Sequence, residues 1–386
     1  MNSIDERASR IIKNAIIVDL FLSFFDIFTI TTLGTITKFY SIAIIVLYIC
    51  SQKSTVLLIR KNDASIAGFA WVIISAFSVL YSADPRRGLN YLLGIGLNFL
   101  LYLIAKELDW NKDDIHKMEL FITIGGIALC VISLFSSVVD INSRKEIVFF
   151  GIRMDANKEA SVLVCPFIFL MDYVLTRKRK IKNVICAFLL IALVIYTVIQ
   201  TGSRGGMLGL GVSLLAFLWI SIKKRTLSTY KIIITSVIVV ALLNFGIMTK
   251  YFDSAILNRL FSNYLIDNGG GRLLLWKRAF DVFKENALLG VGLGSMMSLI
   301  GMQVHNTYLE AFCDTGILGG ILFLSFIIKS LRSFARTIDP KCFSVALGMA
   351  LTIFFLSSYS SNYFWIPMIY SSAVVVCKRM DRENDK

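Results

Sequence analysis

Residues 183–220 read NVICAFLLIALVIYTVIQ-TGSRGG-MLGLGVSLLAFLWI, two apolar arms joined by six small or polar residues. A helix needs roughly 20 mostly apolar residues to cross the hydrocarbon of a bilayer. Each arm supplies close to that length, so the pair predicts a transmembrane hairpin over 183–200 and 205–222. Outward in both directions, stretches of the same kind recur at 14–33, 36–52, 64–82, 88–105, 119–139, 159–176, 231–249, 305–328, 342–361 and 363–378. The predicted class is an all-α, polytopic integral membrane protein with about 12 transmembrane helices.

Composition agrees. Of 386 residues, 56% are hydrophobic and 17% charged, and the mean hydropathy is +0.71. That is more apolar surface than one soluble core hides. Little room remains for a soluble domain, and residues 1–386 are read as a single integral membrane domain. Residues Met1 to Lys13 carry both signs of charge and lead into an apolar run without a small-residue cleavage site. A retained first helix is therefore expected, not a signal peptide.

With both termini in the cytoplasm, the basic breaks around Lys53/Arg60/Lys61, Lys106/Lys112/Lys117, Arg177 to Lys182, Lys223 to Lys231 and Lys329 to Lys341 fall on one side. Together with the tails, that side holds 26 of the 40 Lys and Arg. The positive-inside rule favours this orientation. It also accounts for the net charge of +14 without nucleic acid as a partner. The remaining 14 cations cluster outside: four in the 140–158 loop (Arg144, Lys145, Arg153, Lys158), six in the long periplasmic loop 249–304, and Lys38, Arg86, Arg87 and Arg204. Cations gathered on the disfavoured face fit an anionic ligand there, although a solvated loop uses the same residues. Asp19 and Asp26, seven apart in the first span, read as a helix-packing pair or as neighbours of a cavity.

Seven cysteines, odd in number and mostly inside apolar stretches, suggest neither disulfides nor a metal centre. No convincing internal repeat is found, which weighs against transporter folds built from duplicated halves.

Three segments carry chemistry. In Thr201-Gly202-Ser203-Arg204-Gly205-Gly206, Ser203 is placed to cap the following helix, whose positive end faces outward beside Arg204. The turn suits a phosphate oxygen, and an ordinary tight hairpin would use the same residues. Gly269-Gly270-Gly271-Arg272 leads into Leu273 to Lys284, where Trp276, Ala279, Phe280 and Phe283 share one helical face while Lys277, Arg278, Asp281 and Lys284 face elsewhere. An amphipathic helix at the membrane surface is expected, with Arg272 at its start. The glycines of Glu285 to Gly294 follow no strand, so they are not a nucleotide fingerprint. Val304-His305-Asn306-Thr307-Tyr308-Leu309-Glu310 opens the tenth span, where Thr307 to Glu310 reads as a capping box. His305 sits just before it, and the helix end disfavours its protonation. Only one other histidine exists, His116 in a cytoplasmic loop, so His305 is the outward base almost by elimination.

Taken in order, TGSRGG, GRLLLWKRAFDVFKENALLGVGLGS and HNTYLEAFCDTGILGG resemble the core of the O-antigen polymerase and O-antigen ligase family over residues 195–325. Upstream, GIRMDANKEA (151–160) is similar to the family's G-x-F-x-N-P-N-x-x-A stretch, with Ala156 where proline is frequent. The resemblance implies a GT-C-type glycosyltransferase of the bacterial inner membrane that uses undecaprenyl-diphosphate-linked glycans at the periplasmic face, with inversion and without metal or other cofactor. It implies membrane lipids and a chain-length regulator protein as partners. Arg204 and Arg272 would hold the diphosphate, and His305 would accept a proton from the attacking hydroxyl or orient it. Ser203, Asn306, Glu310, Arg278, Arg153 and Asn157 complete the expected substrate-binding set. A polymerase is favoured over a ligase that transfers glycan to lipid A-core, and a flippase or other transporter is the reading from a different class.

Overall fold

The computed structural model describes residues 6–31, 34–52, 63–139, 144–149, 152–176, 180–224 and 271–384. The expected ninth span, 231–249, lies outside them. The described chain is predominantly helical: α1 (Glu6–Leu22), α2 (Ile36–Ser51), α3 (Ala64–Ser78), α4 (Pro85–Glu107), α5 (Lys112–Ser136), α6 (Ala156–Val162), α7 (Val164–Thr176), α8 (Ile181–Gln200), α9 (Arg204–Lys223), α10 (Arg272–Glu285), α11 (Met296–Ile300), α12 (Thr307–Arg336), α13 (Pro340–Thr352) and α14 (Asn362–Asn384). Among the described residues, seven helical stretches are long and apolar enough to cross a membrane, and Ile36–Ser51 and Pro340–Phe355 are shorter apolar helices. That length criterion supports a polytopic all-α membrane protein. It does not reach the expected count of about 12.

The bundle is knitted by pairs distant in sequence: α9 against α13, α3 against α12, α4 against α14, and α1 against α5 and α2. Its core is aromatic. Trp71, Tyr102, Phe326, Tyr359, Trp365 and Tyr370 are fully buried. Phe99 meets Phe326 edge-on with centroids 6.0 Å apart, a geometry favoured by the ring quadrupoles. Asp19 accepts a hydrogen bond from Ser41 Oγ at 3.2 Å, and Asp26 accepts one from Thr37 Oγ1. Both carboxylates thus tie the first segment to α2, as a helix-packing pair does.

One end of the bundle is laced by ion pairs. Lys13 meets Asp114 at 2.5 Å, Lys106 meets Asp63, and Lys341 meets Glu119 at 2.6 Å and Asp172 at 3.2 Å. These are cations that the sequence assigns to the inner side. At the other end, a meander of Ser137–Val139, Lys145–Phe149 and Ile152–Met154 pairs antiparallel, with Ile147 opposite both Ser137 and Met154. This small sheet occupies the 140–158 loop and delivers the chain to α6.

Several spans differ from expectation. The stretch 14–33 is α-helical only to Leu22 and continues as a 3-10 segment, Ser23–Thr29. The stretch 342–361 is not one helix: α13 ends at Thr352, Ile353–Phe355 form a 3-10 turn, and Leu356 is extended (φ −141°, ψ 153°). The polar run Ser357-Ser358-Tyr359-Ser360-Ser361 is therefore a connection between helices. The helix α12 is broken at Gly316 (φ 68°, ψ −172°). Segment 287–294 fills the break: Val291 N–H donates to Cys313 O at 2.8 Å, Gly292 N–H to Asp314 O at 3.0 Å, and Ile317 N–H to Ala287 O at 2.8 Å. Backbone polar groups freed inside a membrane protein require partners of this kind. The glycines that end α10 serve this docking, with φ of 76° at Gly290 and 90° at Gly292.

Candidate functional site

Four connections meet at the end of the bundle opposite the ion pairs. The first is the turn between α8 and α9. Ser203 caps α9, its Oγ accepting from Gly206 N–H at 3.1 Å, as expected of a serine there. The same hydroxyl donates to Asn157 Oδ1 at 2.9 Å. Arg204 is the first residue of α9 and half-buried.

The loop ahead of α6 comes next. Arg144 is buried and donates from Nε to Thr201 O at 3.3 Å, so it holds the turn from the side. Asp155 caps α6, accepting from the N–H groups of Asn157 at 2.9 Å and Lys158 at 3.3 Å. Lys158 lies 5.8 Å from the centre of the Tyr363 ring.

Third is α10, which starts after Gly271 in the left-handed region (φ 82°). Its buried side is Leu275 and Ala279, with Trp276 half-buried. Trp276 donates from Nε1 to Val304 O at 3.1 Å, and Cys313 Sγ donates to Ala279 O at 3.3 Å. Phe280, expected on this face, is instead 49% exposed. Arg272 sits with its guanidinium 5.6 Å from the centre of the Phe355 ring, a cation–π contact. A Cβ added at Gly205 would meet Phe355 Cβ at 2.8 Å. Phe355 is thus the wall shared by the Arg204 turn and Arg272.

The fourth is the entry to α12. Asn306, not Thr307, is the cap: its Oδ1 accepts from Leu309 N–H at 3.1 Å. Thr307 Oγ1 instead donates to Leu356 O and accepts from Ser358 N–H at 3.1 Å. The cap therefore lies one residue earlier than expected, no capping box forms because Leu309 holds the third helical position, and Glu310 is released. Glu310 is 3% exposed, its buried Oε2 has no hydrogen-bond partner among the described residues, and Asp314 one turn on accepts from Tyr359 Oη and from Gly294 N–H at 3.2 Å.

His305 stands at the centre. Its backbone is in the left-handed region (φ 53°), which a non-glycine residue occupies at a cost of about 1–3 kcal/mol and which clusters at functional sites. Its N–H donates to Ser357 Oγ at 3.0 Å, and among the described residues its buried Nδ1 has no hydrogen-bond partner. Burial lowers its pKa below the usual 6.5; Asp155 opposes this, and Arg272, Lys158 and Arg144 add to it. The imidazole is held neutral by burial and by three nearby cations. Burial pushes the Asp155 carboxyl up, but Arg144, His305 and Lys158 outweigh it and leave the group below its ordinary range.

Of the residues expected from sequence, His305, Arg272, Asn306, Ser203, Asn157 and Arg204 are brought to this end, and Glu310 lies buried beneath it. Arg153 points away, its side chain 60% exposed and 3.8 Å from Glu146, and Arg278 is exposed on α10. Sequence reading missed Asp155, Phe355 and Ser357 as members, and it named Arg144 and Lys158 only within the outer cluster of cations. The serine-rich run 357–361 was the available signal for Ser357.

Such a cluster offers one neutral base, one carboxylate and several cations, and it suits proton removal beside a polyanion. Residues 187–324 match the model of a family described as O-antigen ligase. A Haemophilus influenzae protein named only as uncharacterized is 26% identical over 212 residues, covering 47% of this chain and 53% of that one. This chain thus matches about half the length of that relative. A solved chain described as "Structural coordination of polymerization and crosslinking by a peptidoglycan synthase complex" overlays 84% of this chain and 99% of its own at 13% identity and a TM-score of 0.46.

Proposed function

We propose that this chain, which over residues 187–324 matches the model of a family described as O-antigen ligase, transfers a glycan from a polyprenyl-diphosphate donor to a sugar hydroxyl at the outer face of the bacterial inner membrane. The observation that carries the reading is His305: a half-buried, neutral imidazole whose buried Nδ1 has no hydrogen-bond partner among the described residues, near Arg272, Lys158, Arg144 and Asp155. Departure of a diphosphate concentrates negative charge on its bridging oxygen, and fixed cations stabilise that charge. Arg272 and Arg204 flank Phe355 and would grip the phosphates, with Arg144 and Lys158 deepening the positive field. His305 takes the proton from the attacking hydroxyl as the C–O bond forms, the sugar–phosphate bond breaks, and the anomeric carbon inverts.

Asp155 is a positioning residue that acts through His305. Protonation of His305 removes the base, so the transfer rate is expected to fall as pH drops through a pKa below 6.5. Asp155 favours the charged imidazole, and Asp155→Asn should therefore move this acidic limb to lower pH. A pH–rate profile of the purified variant checks this, and a limb that stays put or rises would remove Asp155 from the pair. Donor handling by arginine also predicts full activity in EDTA. Loss of transfer that magnesium or manganese restores would overturn that account.

The favoured acceptor is the terminal sugar of a second lipid-linked repeat, which makes the protein a polymerase; the second reading is a ligase that uses lipid A-core, and the family match does not separate the two. Deletion in the native host separates them. Single repeats left on lipid A indicate a lost polymerase, whereas complete lipid-linked polymer that never reaches the core indicates a lost ligase. An unchanged glycan profile would refute both.

A further inference from the structure

The run Leu356 to Tyr359, between α13 and α14, is fastened to one face of α12. Thr307, Glu310 and Asp314 are spaced three and four residues apart and therefore lie along a single helical stripe. At the outer end of the stripe, Thr307 Oγ1 donates to Leu356 O and accepts from Ser358 N–H at 3.1 Å; at the inner end, Asp314 accepts from Tyr359 Oη. Between them, the hydroxyl of Ser357 donates to the Glu310 carboxyl group. The same Ser357 oxygen accepts from His305 N–H at 3.0 Å. Glu310 thus reaches the backbone of His305 through one hydroxyl.

That backbone needs a hold. At φ 53° the Cβ of His305 crowds its own main chain, and such a residue relaxes to negative φ unless its surroundings prevent it. Among the described residues its Nδ1 has no hydrogen-bond partner and supplies no hold, whereas its amide is bonded to Ser357. Ser357 sits in a connection, not a helix, and a serine hydroxyl rotates to suit whatever acceptor it is offered. Glu310 offers that acceptor from a packed helix. Its side chain, in a residue only 3% exposed, leaves no open face for a glycan.

We propose that Glu310 is a positioning residue and not a substrate contact: through Ser357 it holds His305 in the left-handed conformation that aims the imidazole at the acceptor hydroxyl. The inference rests on the reading of His305 as the base.

Hydrogen–deuterium exchange of the purified protein tests the hold without any transfer reaction. Glu310→Met keeps much of the side-chain length and removes both oxygens, and Ser357→Ala removes the hydroxyl. In each variant the His305 amide should exchange about tenfold faster, while the Leu309 amide, bonded to Asn306 Oδ1 at 3.1 Å, keeps its wild-type rate. Turnover should fall about tenfold in each with the donor KM within a few fold, since a smaller fraction of the protein holds a competent His305. The double variant should be no worse than either single one, because both changes cut one link. Glu310→Gln, which keeps an acceptor oxygen, should lose less than Glu310→Met in both measurements. An unchanged His305 exchange rate in Glu310→Met would overturn the proposal. So would equal release of Leu309, which marks a general loosening of the helix entry, or additive losses in the double variant. Failure of the underlying reading looks different: His305→Ala would keep wild-type turnover whatever the exchange rates, leaving Glu310 to hold a backbone with no part in the chemistry. Should Glu310→Met not fold, Glu310→Ala removes the same oxygens without a bulky replacement.

Discussion

His305→Ala should lower turnover by about 10²–10⁴-fold, the contribution typical of a positioned proton acceptor, while leaving affinity for the lipid-linked donor within a few fold. The separation follows from the surroundings of the side chain. The cations near His305, namely Arg272, Lys158 and Arg144, remain after the substitution. What disappears is the one neutral base, whose buried Nδ1 has no partner among the described residues. His116→Ala is the matched control, because His116 sits at the far end with a side chain 45% exposed and 3.4 Å from Glu119. Both variants are assayed for turnover and donor binding. A proportional fall in the two for His305→Ala would place the histidine in the diphosphate grip and remove it as the base.

Gly292→Ala should be strongly destabilising. At φ 90° an added Cβ is strained in the left-handed region by about 1–2 kcal/mol. The same Cβ would lie 2.5 Å from Ser82 Cα and 2.7 Å from both Ser78 O and Ser82 N, all backbone atoms that cannot swing aside. Overpacking typically adds about 1–3 kcal/mol, so a loss of about 2–5 kcal/mol is expected, enough to deplete the folded protein. Gly271→Ala isolates the first part of that cost. Its φ is 82°, but an added Cβ would meet nothing within 4 Å, so only the strain remains. Thermal unfolding in detergent compares the two. Equal losses would show that the docking of 287–294 against Ser78 and Ser82 adds nothing beyond conformational strain.

Much of the site was legible because rare residues mark it. A chain with two histidines and few interior charges draws attention to His305, and Ser203 ahead of Arg204 announces a cap by its chemistry alone. What failed were inferences that needed a second element. Phe280 shares a helical period with Trp276 and Phe283, but which flank of α10 is covered depends on where α12 lies. Phe354, Phe355 and Leu356 extend an apolar run, so 342–361 reads as one span, although Ser357 and Ser358 form part of a connection wrapped around the entry to α12. Asp155 was invisible as a site member because its partner, His305, is distant in sequence, and Arg144, legible only as one of the clustered cations, is placed by an equally remote partner, Thr201. In the same way, two acceptors for Val291 and Gly292 lie on a helix that a sequence reader has no reason to break.

That break constrains the order in which the protein is built. Without segment 287–294, the carbonyls of Cys313 and Asp314 and the amide of Ile317 would lack the partners that they have in the fold. Each such group left bare in hydrocarbon costs several kcal/mol. The half-helix from Thr307 to Thr315 therefore should not partition into the bilayer alone as it leaves the translocation machinery. It has to arrive already clasped to the arm that bears Arg272. Insertion of this span and completion of the site around His305 then become a single event, and a chain stalled before that event would hold neither.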